Sequence, residues 1–282
     1  MMRTGFAAMT AGVMLAMSTA GCGGPVAETA QSVQRTNPAV DQPVGDKPTV
    51  VLVHGAFADS SSWSGVIKIL EGEGYPVIAA ANPLRGLDTD ARYVQSILRS
   101  VSGPVVLAGH SYGGSVMSEA ADGQQNVKAL VYIASFLLEQ GESTGQLAAK
   151  FPGAQLGPAL DNVPFPTLGG GTGEDLYIKK DEFQKVFAAD VPDDVADLMA
   201  ATQRPITVAA LDEPATKAAW KTIPSWNMVT TQDLAIPAES MRYMGERAKS
   251  QNVEVDASHA VTVSQPGAVA ELIQQAAEAT TN

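Results

Sequence analysis

The pentapeptide GHSYG at residues 109–113 follows the apolar run of residues 104–108, and this is the feature that most constrains the chain. A G-x-S-x-G sequence at a strand end predicts a sharp strand-to-helix turn that presents the serine hydroxyl above the sheet edge. The flanking glycines lack a Cβ, which relieves crowding where the helix packs back on the strand. The mostly small residues at 114–120 predict that helix. The pattern therefore favours an α/β fold with Ser111 as a candidate nucleophile.

Strand-like and helix-like segments alternate along the chain. A continuous β-branched run of the kind found in strands buried on both faces occurs at residues 49–53, and further strands are predicted at residues 75–81, 104–108, 127–134, 225–230 and 252–255. Helical patterns separate or follow them at residues 63–70, 90–101 and 237–249 and after Ser264, which is expected to cap the last helix. This alternation predicts one mostly parallel sheet with helices on both faces.

Residues 137–223 interrupt the alternation. They contain a glycine-rich turn at residues 169–173, several prolines and two helical patterns at residues 181–189 and 193–202. An insertion of this length between two core strands predicts a cap over the edge of the sheet that carries the site. The alternative is a structural subdomain that does not contact the substrate.

Residues 1–22 carry a pattern typical of export. Arg3 precedes an apolar stretch at residues 5–17, which is too short to span a bilayer because a spanning helix needs about 20 apolar residues. Small residues then lead to Cys22, the only cysteine of the chain, so no intramolecular disulfide can form. The segment resembles the lipobox of bacterial lipoproteins, although Thr19 stands where leucine is commoner. This resemblance implies a lipid-anchored protein of the bacterial cell envelope, with secretion or periplasmic release as the alternative.

Residues 23–47 are rich in Pro, Gly, Gln, Thr, Asp and Ala without apolar periodicity, which predicts a flexible linker. The folded domain is then expected at residues 48–282.

The chain has 282 residues and a net charge of −12. That charge argues against nucleic acid as a partner, because phosphate binding needs clustered Lys and Arg. Nothing in the sequence predicts the oligomeric state.

A serine hydroxyl is a weak nucleophile and needs a base within hydrogen-bond reach. His54 lies after the first strand and His110 lies within the GHSYG turn, and both side chains are expected to point into the packing. His259 lies on the loop between the last strand and the last helix. A loop at that edge can bring an imidazole over Ser111. We therefore expect His259 to be the base.

The imidazole in turn needs a carboxylate that holds its tautomer and stabilises its charged form. Asp233 follows the strand of residues 225–230, so the chain order is serine, aspartate, histidine, as in α/β-hydrolases. The alternatives are Asp256, three residues before His259, and Glu239, in a predicted first helical turn. We favour Asp233.

An acyl-transfer site also needs backbone N–H donors for the oxyanion. The N–H of Tyr112 follows the nucleophile at a helix N-terminus, and the N–H of Ala56 lies just past the His54–Gly55 pair. The absence of a side chain on Gly55 allows that loop to approach the substrate closely. Ala56 and Tyr112 are the predicted donors.

Together these motifs resemble the α/β-hydrolase fold superfamily, and within it the branch of plant methylesterases, hydroxynitrile lyases and many bacterial esterases. The resemblance rests on the sequences HGA at residues 54–56, GHSYGG at 109–114, Asp233 before the IP pair at 236–237, and SH at 258–259. It extends from about residue 49 to the C-terminus and includes residues 191–205. It implies the triad Ser111, Asp233 and His259, the oxyanion donors Ala56 and Tyr112, and no cofactor or metal.

The expected activity is hydrolysis of small carboxylic esters through an acyl-enzyme on Ser111. Hydroxynitrile lyases of that branch have a threonine and a lysine where this chain has Gly55 and Ala260, and without the lysine no charge stabilises a leaving cyanide. Haloalkane dehalogenases have an aspartate in place of Ser111, which excludes that chemistry. The alternatives are a lyase-like, thioesterase or perhydrolase activity, or a surface-anchored protein that binds a ligand without catalysis.

Overall fold

A computed structural model describes residues 47–280 of the chain. The predicted export signal ending at Cys22, and all of the predicted linker except its last residue, lie outside the described residues. The strands are β1 (Thr49–Val53), β2 (Val77–Ala80), β3 (Val105–His110), β4 (Val127–Ile133), β5 (Leu160–Pro166), β6 (Thr172–Ile178), β7 (Ile206–Thr207), β8 (Ser225–Thr230) and β9 (Gln251–Val255). The helices are α1 (Ser64–Gly72), α2 (Leu87–Ser100), α3 (Tyr112–Ala121), α4 (Thr144–Lys150), α5 (Lys180–Phe187), α6 (Asp193–Thr202), α7 (Val208–Asp212), α8 (Ala238–Arg247), α9 (Val261–Ser264) and α10 (Pro266–Thr280).

The larger sheet has the order β2-β1-β3-β4-β8-β9, and every pair in it is parallel. Strands β3 and β8 are buried along their whole length because helices cover both faces, which explains the apolar sequence at the start of β3. Val53 at the end of β1 pairs with Gly109 of β3. This register brings the loop after β1 beside the turn that carries Ser111.

Helices lie on both faces of the sheet. The chain crosses from β1 to β2 in one direction and from β2 to β3 and then β4 in the opposite direction. Right-handed crossovers therefore place α1 on one face of the sheet and α2 and α3 on the other. Helix α10 packs against α1, and α2 packs against α3. The predicted mostly parallel α/β-hydrolase architecture is confirmed. The expected cap of the last helix was wrong, because Ser264 ends the separate short helix α9 and its buried hydroxyl has no hydrogen-bond partner.

Residues 137–223, hereafter the insertion, lie between β4 and β8. Both predicted helices are present as α5 and α6, but the insertion also contains the antiparallel sheet β5-β6-β7. Backbone hydrogen bonds tie it to loops of the main sheet, among them Phe57 N–H to the Arg204 carbonyl at 3.0 Å, Ala260 N–H to the Phe187 carbonyl at 2.9 Å, and Gln155 N–H to the Leu234 carbonyl at 2.7 Å. Along residues 47–280, no helix combines the length and apolarity that crossing a membrane requires.

Candidate active site

Ser111 occupies a strained backbone position between β3 and α3. Its φ of 53° and ψ of −128° lie outside the regions that non-glycine residues favour. Its own N–H donates to the Ile133 carbonyl at 3.2 Å, and its carbonyl accepts from the Ser135 hydroxyl at 2.6 Å. The surrounding chain therefore holds Ser111 in a conformation that projects its side chain away from the sheet.

Close backbone packing around this turn explains two of the nearby glycines. A Cβ on Gly113 would overlap the carbonyl oxygen of Val53, so α3 can pack against β1 only with glycine there. A Cβ on Gly55 would lie 2.6 Å from the Cβ of Ser111, closer than real Cβ atoms approach. The loop after β1 thus lies directly against the serine, as the sequence predicts.

The structure brings together the three residues predicted to form the triad. His259 Nε2 lies 2.9 Å from Ser111 Oγ, and His259 Nδ1 lies 2.7 Å from Asp233 Oδ2. An ionised carboxylate can only accept hydrogen bonds, so the imidazole proton belongs on Nδ1. The lone pair of Nε2 then accepts the hydrogen bond of the Ser111 hydroxyl. All three residues are buried, with Ser111 the most exposed at 7%.

The carboxylate of Asp233 is fully engaged by donors. Its Oδ1 accepts from the N–H groups of Ala235 and Ile236, each at 2.8 Å. Its Oδ2 accepts from the Thr230 hydroxyl at 2.9 Å in addition to His259. These bonds come from the loop after β8 and orient the carboxylate toward the imidazole.

The two alternative carboxylates lie elsewhere. Asp256 is exposed, and its Oδ1 accepts from Gln232 Nε2 at 2.8 Å and from the Thr231 hydroxyl at 3.2 Å. Glu239 is exposed in the first turn of α8. Asp233 is therefore the carboxylate that the fold presents to His259.

The predicted oxyanion donors flank Ser111. Tyr112 is the first residue of α3, so its N–H lies at the positive end of the helix dipole. Ala56 follows Gly55, which lies close against Ser111. Ala56 and Tyr112 are almost entirely buried. The two residues thus belong to the two chain segments that meet at Ser111, and their roles as oxyanion donors stay predictions.

The two other histidines are buried and neutral. Burial lowers the pKa of His54 to about 4 and that of His110 to about 3. His54 Nδ1–H donates to the Gly55 carbonyl at 2.9 Å, and His110 Nε2–H donates to the His259 carbonyl at 2.8 Å. The expectation that both side chains point into the packing agrees with these positions. The contact of His110 with the backbone of His259 was not predicted.

A buried aspartate beside the turn also escaped prediction. Asp90 accepts from the Tyr112 hydroxyl at 3.0 Å and from the Arg85 N–H at 3.1 Å. Burial raises the pKa of Asp90, and burial beside that carboxylate raises the pKa of the Tyr112 phenol. In the sequence Asp90 is one acidic residue among several at a helix start, and no pattern distinguishes it.

A cleft of about 210 Å³ lies between the loop after β1 and helix α6. Ser111 does not line it, but Phe57 follows the predicted oxyanion donor Ala56, and Val263 belongs to the helix after His259. Other residues that line the cleft are Asp59, Val195, Leu198 and Met199. Within residues 47–280, no three or more His, Cys, Asp or Glu side chains are grouped so that they could hold a metal ion.

Comparison with known proteins places this geometry in context. Residues 50–272 match the family described as the alpha/beta hydrolase family. The chain is 28% identical over 253 residues to alpha/beta hydrolase nvfD of Aspergillus novofumigatus, covering 82% of this chain and 97% of that protein. It is 26% identical over 249 residues to the pyrethroid hydrolase of Sphingobium wenxiniae, covering 82% and 88%. The crystal structure of polyneuridine aldehyde esterase has the same fold, with a TM-score of 0.69 at 18% identity over 81% of this chain and 98% of that one.

Proposed function

The chain belongs to the alpha/beta hydrolase family, and from that premise we propose that it is a serine esterase that cleaves small carboxylic esters. Its relatives are hydrolases, which supports an enzyme with an ester-cleaving role. The observation that carries the proposal is the pair of hydrogen bonds that joins Asp233 to His259 and His259 to Ser111. That arrangement activates a serine hydroxyl for attack on a carbonyl carbon.

The proposed reaction proceeds in two halves. Ser111 Oγ bonds to the ester carbonyl carbon while His259 Nε2 takes the hydroxyl proton. The N–H groups of Ala56 and Tyr112 stabilise the negative oxygen of the tetrahedral intermediate. His259 then gives its proton to the departing alkoxide, which leaves as the alcohol. Water, deprotonated by His259, attacks the acyl-enzyme, and the acid is released with the proton returned to Ser111.

The substrate class follows from the surroundings of the site. Phe57, Val195 and Leu198 give the adjacent cleft apolar walls, which suit the apolar part of an ester. Asp59 at the same cleft disfavours an anionic group there. The relative named pyrethroid hydrolase also supports hydrolysis of a small molecule. We propose uncharged esters with an apolar acyl or alcohol group as substrates.

We also propose that the protein is exported and anchored by a lipid on Cys22, with release into the periplasm or medium as the alternative. The support is the sequence pattern of residues 1–22 alone. Metabolic labelling with a palmitate analogue tests it. The label is expected on the wild-type protein and absent from the Cys22→Ser variant, and an unlabelled wild-type protein would exclude the anchor.

The decisive experiment replaces the proposed nucleophile. Ser111→Ala is expected to lower kcat for p-nitrophenyl esters of graded chain length by about 10⁴-fold or more. It should also abolish labelling by a fluorophosphonate, which reacts with an activated serine. Ser100→Ala, at the exposed end of α2, is the matched control and should keep both properties. Wild-type turnover in the Ser111→Ala protein would refute the proposal, and a wild-type protein that neither turns over nor takes the label would favour a binding protein.

A further inference from the structure

The insertion holds the chain on both sides of His259. The N–H of Ser258 donates to Asp190 Oδ2 at 3.2 Å, and the hydroxyl of Ser258 donates to Asp190 Oδ1 in a short contact. On the other side, the N–H of Ala260 donates to the Phe187 carbonyl at 2.9 Å. Phe187 ends α5, and Asp190 lies in the loop that follows it.

Two further contacts complete the surroundings of His259. Its carbonyl accepts from His110 Nε2–H at 2.8 Å. Its ring meets the ring of Phe187 edge-on, with 4.8 Å between the ring centroids. The backbone before, at and after His259 is therefore bound, and within the loop itself the N–H of Ala260 also lies 3.3 Å from the Ser258 hydroxyl. Of these partners, Asp190 alone offers a charged group.

We propose that Asp190 is a positioning residue that acts through Ser258 to keep the imidazole of His259 within reach of Ser111. The inference rests on the proposed serine esterase function. A carboxylate that accepts two hydrogen bonds from one residue fixes that residue more firmly than a neutral acceptor, because charge-assisted bonds are stronger. Ser258 is 3% exposed with Asp190 in place. Its N–H bonds to Asp190, whereas its hydroxyl also lies 3.3 Å from the Phe187 carbonyl, so removal of Asp190 leaves the N–H without its partner in the protein.

The expected consequence is a loss of chemistry and not of substrate binding. A misplacement of a catalytic group by about 1 Å costs on the order of 10²-fold in rate. In the part of the chain that the structure describes, no hydrogen bond joins the side chain of Asp190 to the cleft residues on α6 or on the loop after β1. Asp190 is itself exposed, so its removal opens no cavity in the core. The position of the base should change while the fold and the cleft remain.

The test combines single and double variants of the full chain. In p-nitrophenyl butyrate hydrolysis, Asp190→Ala and Ser258→Ala are each expected to lower kcat by about 10- to 100-fold with KM within about twofold. Because both act through one contact, the double variant should be no slower than the slower single variant. Asp190→Asn keeps one acceptor and should recover part of kcat. Asp194→Ala, an exposed aspartate in the first turn of α6, is the matched control and should match the wild type.

Several results would overturn the inference. They are a wild-type kcat in Asp190→Ala, an equal loss in the Asp194→Ala control, multiplicative losses in the double variant, or a rise in KM that accounts for the whole effect. Circular dichroism at the assay temperature shows that each variant is folded. Failure of the proposed function itself is distinguishable, because it would appear as retained hydrolysis in Ser111→Ala.

Discussion

The substitution Asp233→Asn tests the arrangement of the site most directly. Oδ1 of Asp233 accepts two backbone N–H bonds at 2.8 Å, whereas Oδ2 accepts from His259 Nδ1–H at 2.7 Å. An asparagine must place its carbonyl oxygen against the two backbone donors, because an NH₂ group there would face two N–H groups. Its NH₂ group then points at His259 and donates to Nδ1.

That exchange forces the imidazole proton onto Nε2. An Nε2–H group cannot accept the proton of Ser111, which it faces at 2.9 Å. We expect kcat to fall by about 10⁴-fold, which corresponds to about 5 kcal/mol of transition-state stabilisation at about 1.4 kcal/mol per decade. The fold should persist, because asparagine has nearly the same shape and keeps both backbone bonds.

Steady-state hydrolysis of p-nitrophenyl esters measures this loss of kcat. The rate of fluorophosphonate labelling measures the reactivity of Ser111 independently of any ester substrate. Asp256→Asn is the matched control, since that exposed carboxylate contacts Gln232 and Thr231 instead of the imidazole. It should retain activity close to the wild type. A loss smaller than tenfold in Asp233→Asn, or a large loss in Asp256→Asn, would refute the assignment of the tautomer.

Two other predictions concern packing and pH. Gly55→Ala would place a Cβ 2.6 Å from the Cβ of Ser111 and 2.8 Å from the His110 carbonyl oxygen, so the loop after β1 must move. The value of kcat for ester hydrolysis should fall by about 10²-fold. Unchanged kinetics would show that Ala56 is not held beside the serine. Burial holds the pKa of His54 at about 4 and of His110 at about 3, so below about pH 6.5 the unfolded chain binds protons that the folded chain does not. The free energy of unfolding, measured with urea, should therefore fall with falling pH between about 6.5 and 4, by up to about 1.4 kcal/mol per pH unit for each histidine; a value independent of pH over that window would contradict it.

The parts of the fold that could be predicted are those whose local sequence pattern matches the burial that the fold gives them. Strand β3 is buried at every residue, so an uninterrupted apolar run identified it. His259 emerged as the base by elimination, since the chain has three histidines and the other two occupy positions beside packed strands. The GHSYG turn could be recognised from its sequence alone, although only Gly109 meets a local steric demand, from the backbone of Gly113, whereas Gly113 is required by the carbonyl of Val53, which is distant in sequence.

The parts that escaped prediction lack a local sequence pattern that identifies them. The hairpin β5-β6 shows little apolar alternation because β5 is mostly exposed, and Pro164 and Pro166 argued against a strand. Proline is tolerated there because β5 lies at the edge of its sheet. The bond between Asp190 and Ser258 joins residues 68 positions apart, and neither has a sequence pattern that marks the pair.

The insertion is bound by main-chain hydrogen bonds to the loop after β1 and to the loop before α9. The carbonyl of Arg204 accepts the N–H of Phe57, which follows the proposed oxyanion donor Ala56 and has a positive φ of 59°. The carbonyl of Phe187 accepts the N–H of Ala260, which follows the proposed base His259. A displacement of this insertion is therefore expected to move the proposed oxyanion donor and the proposed base together.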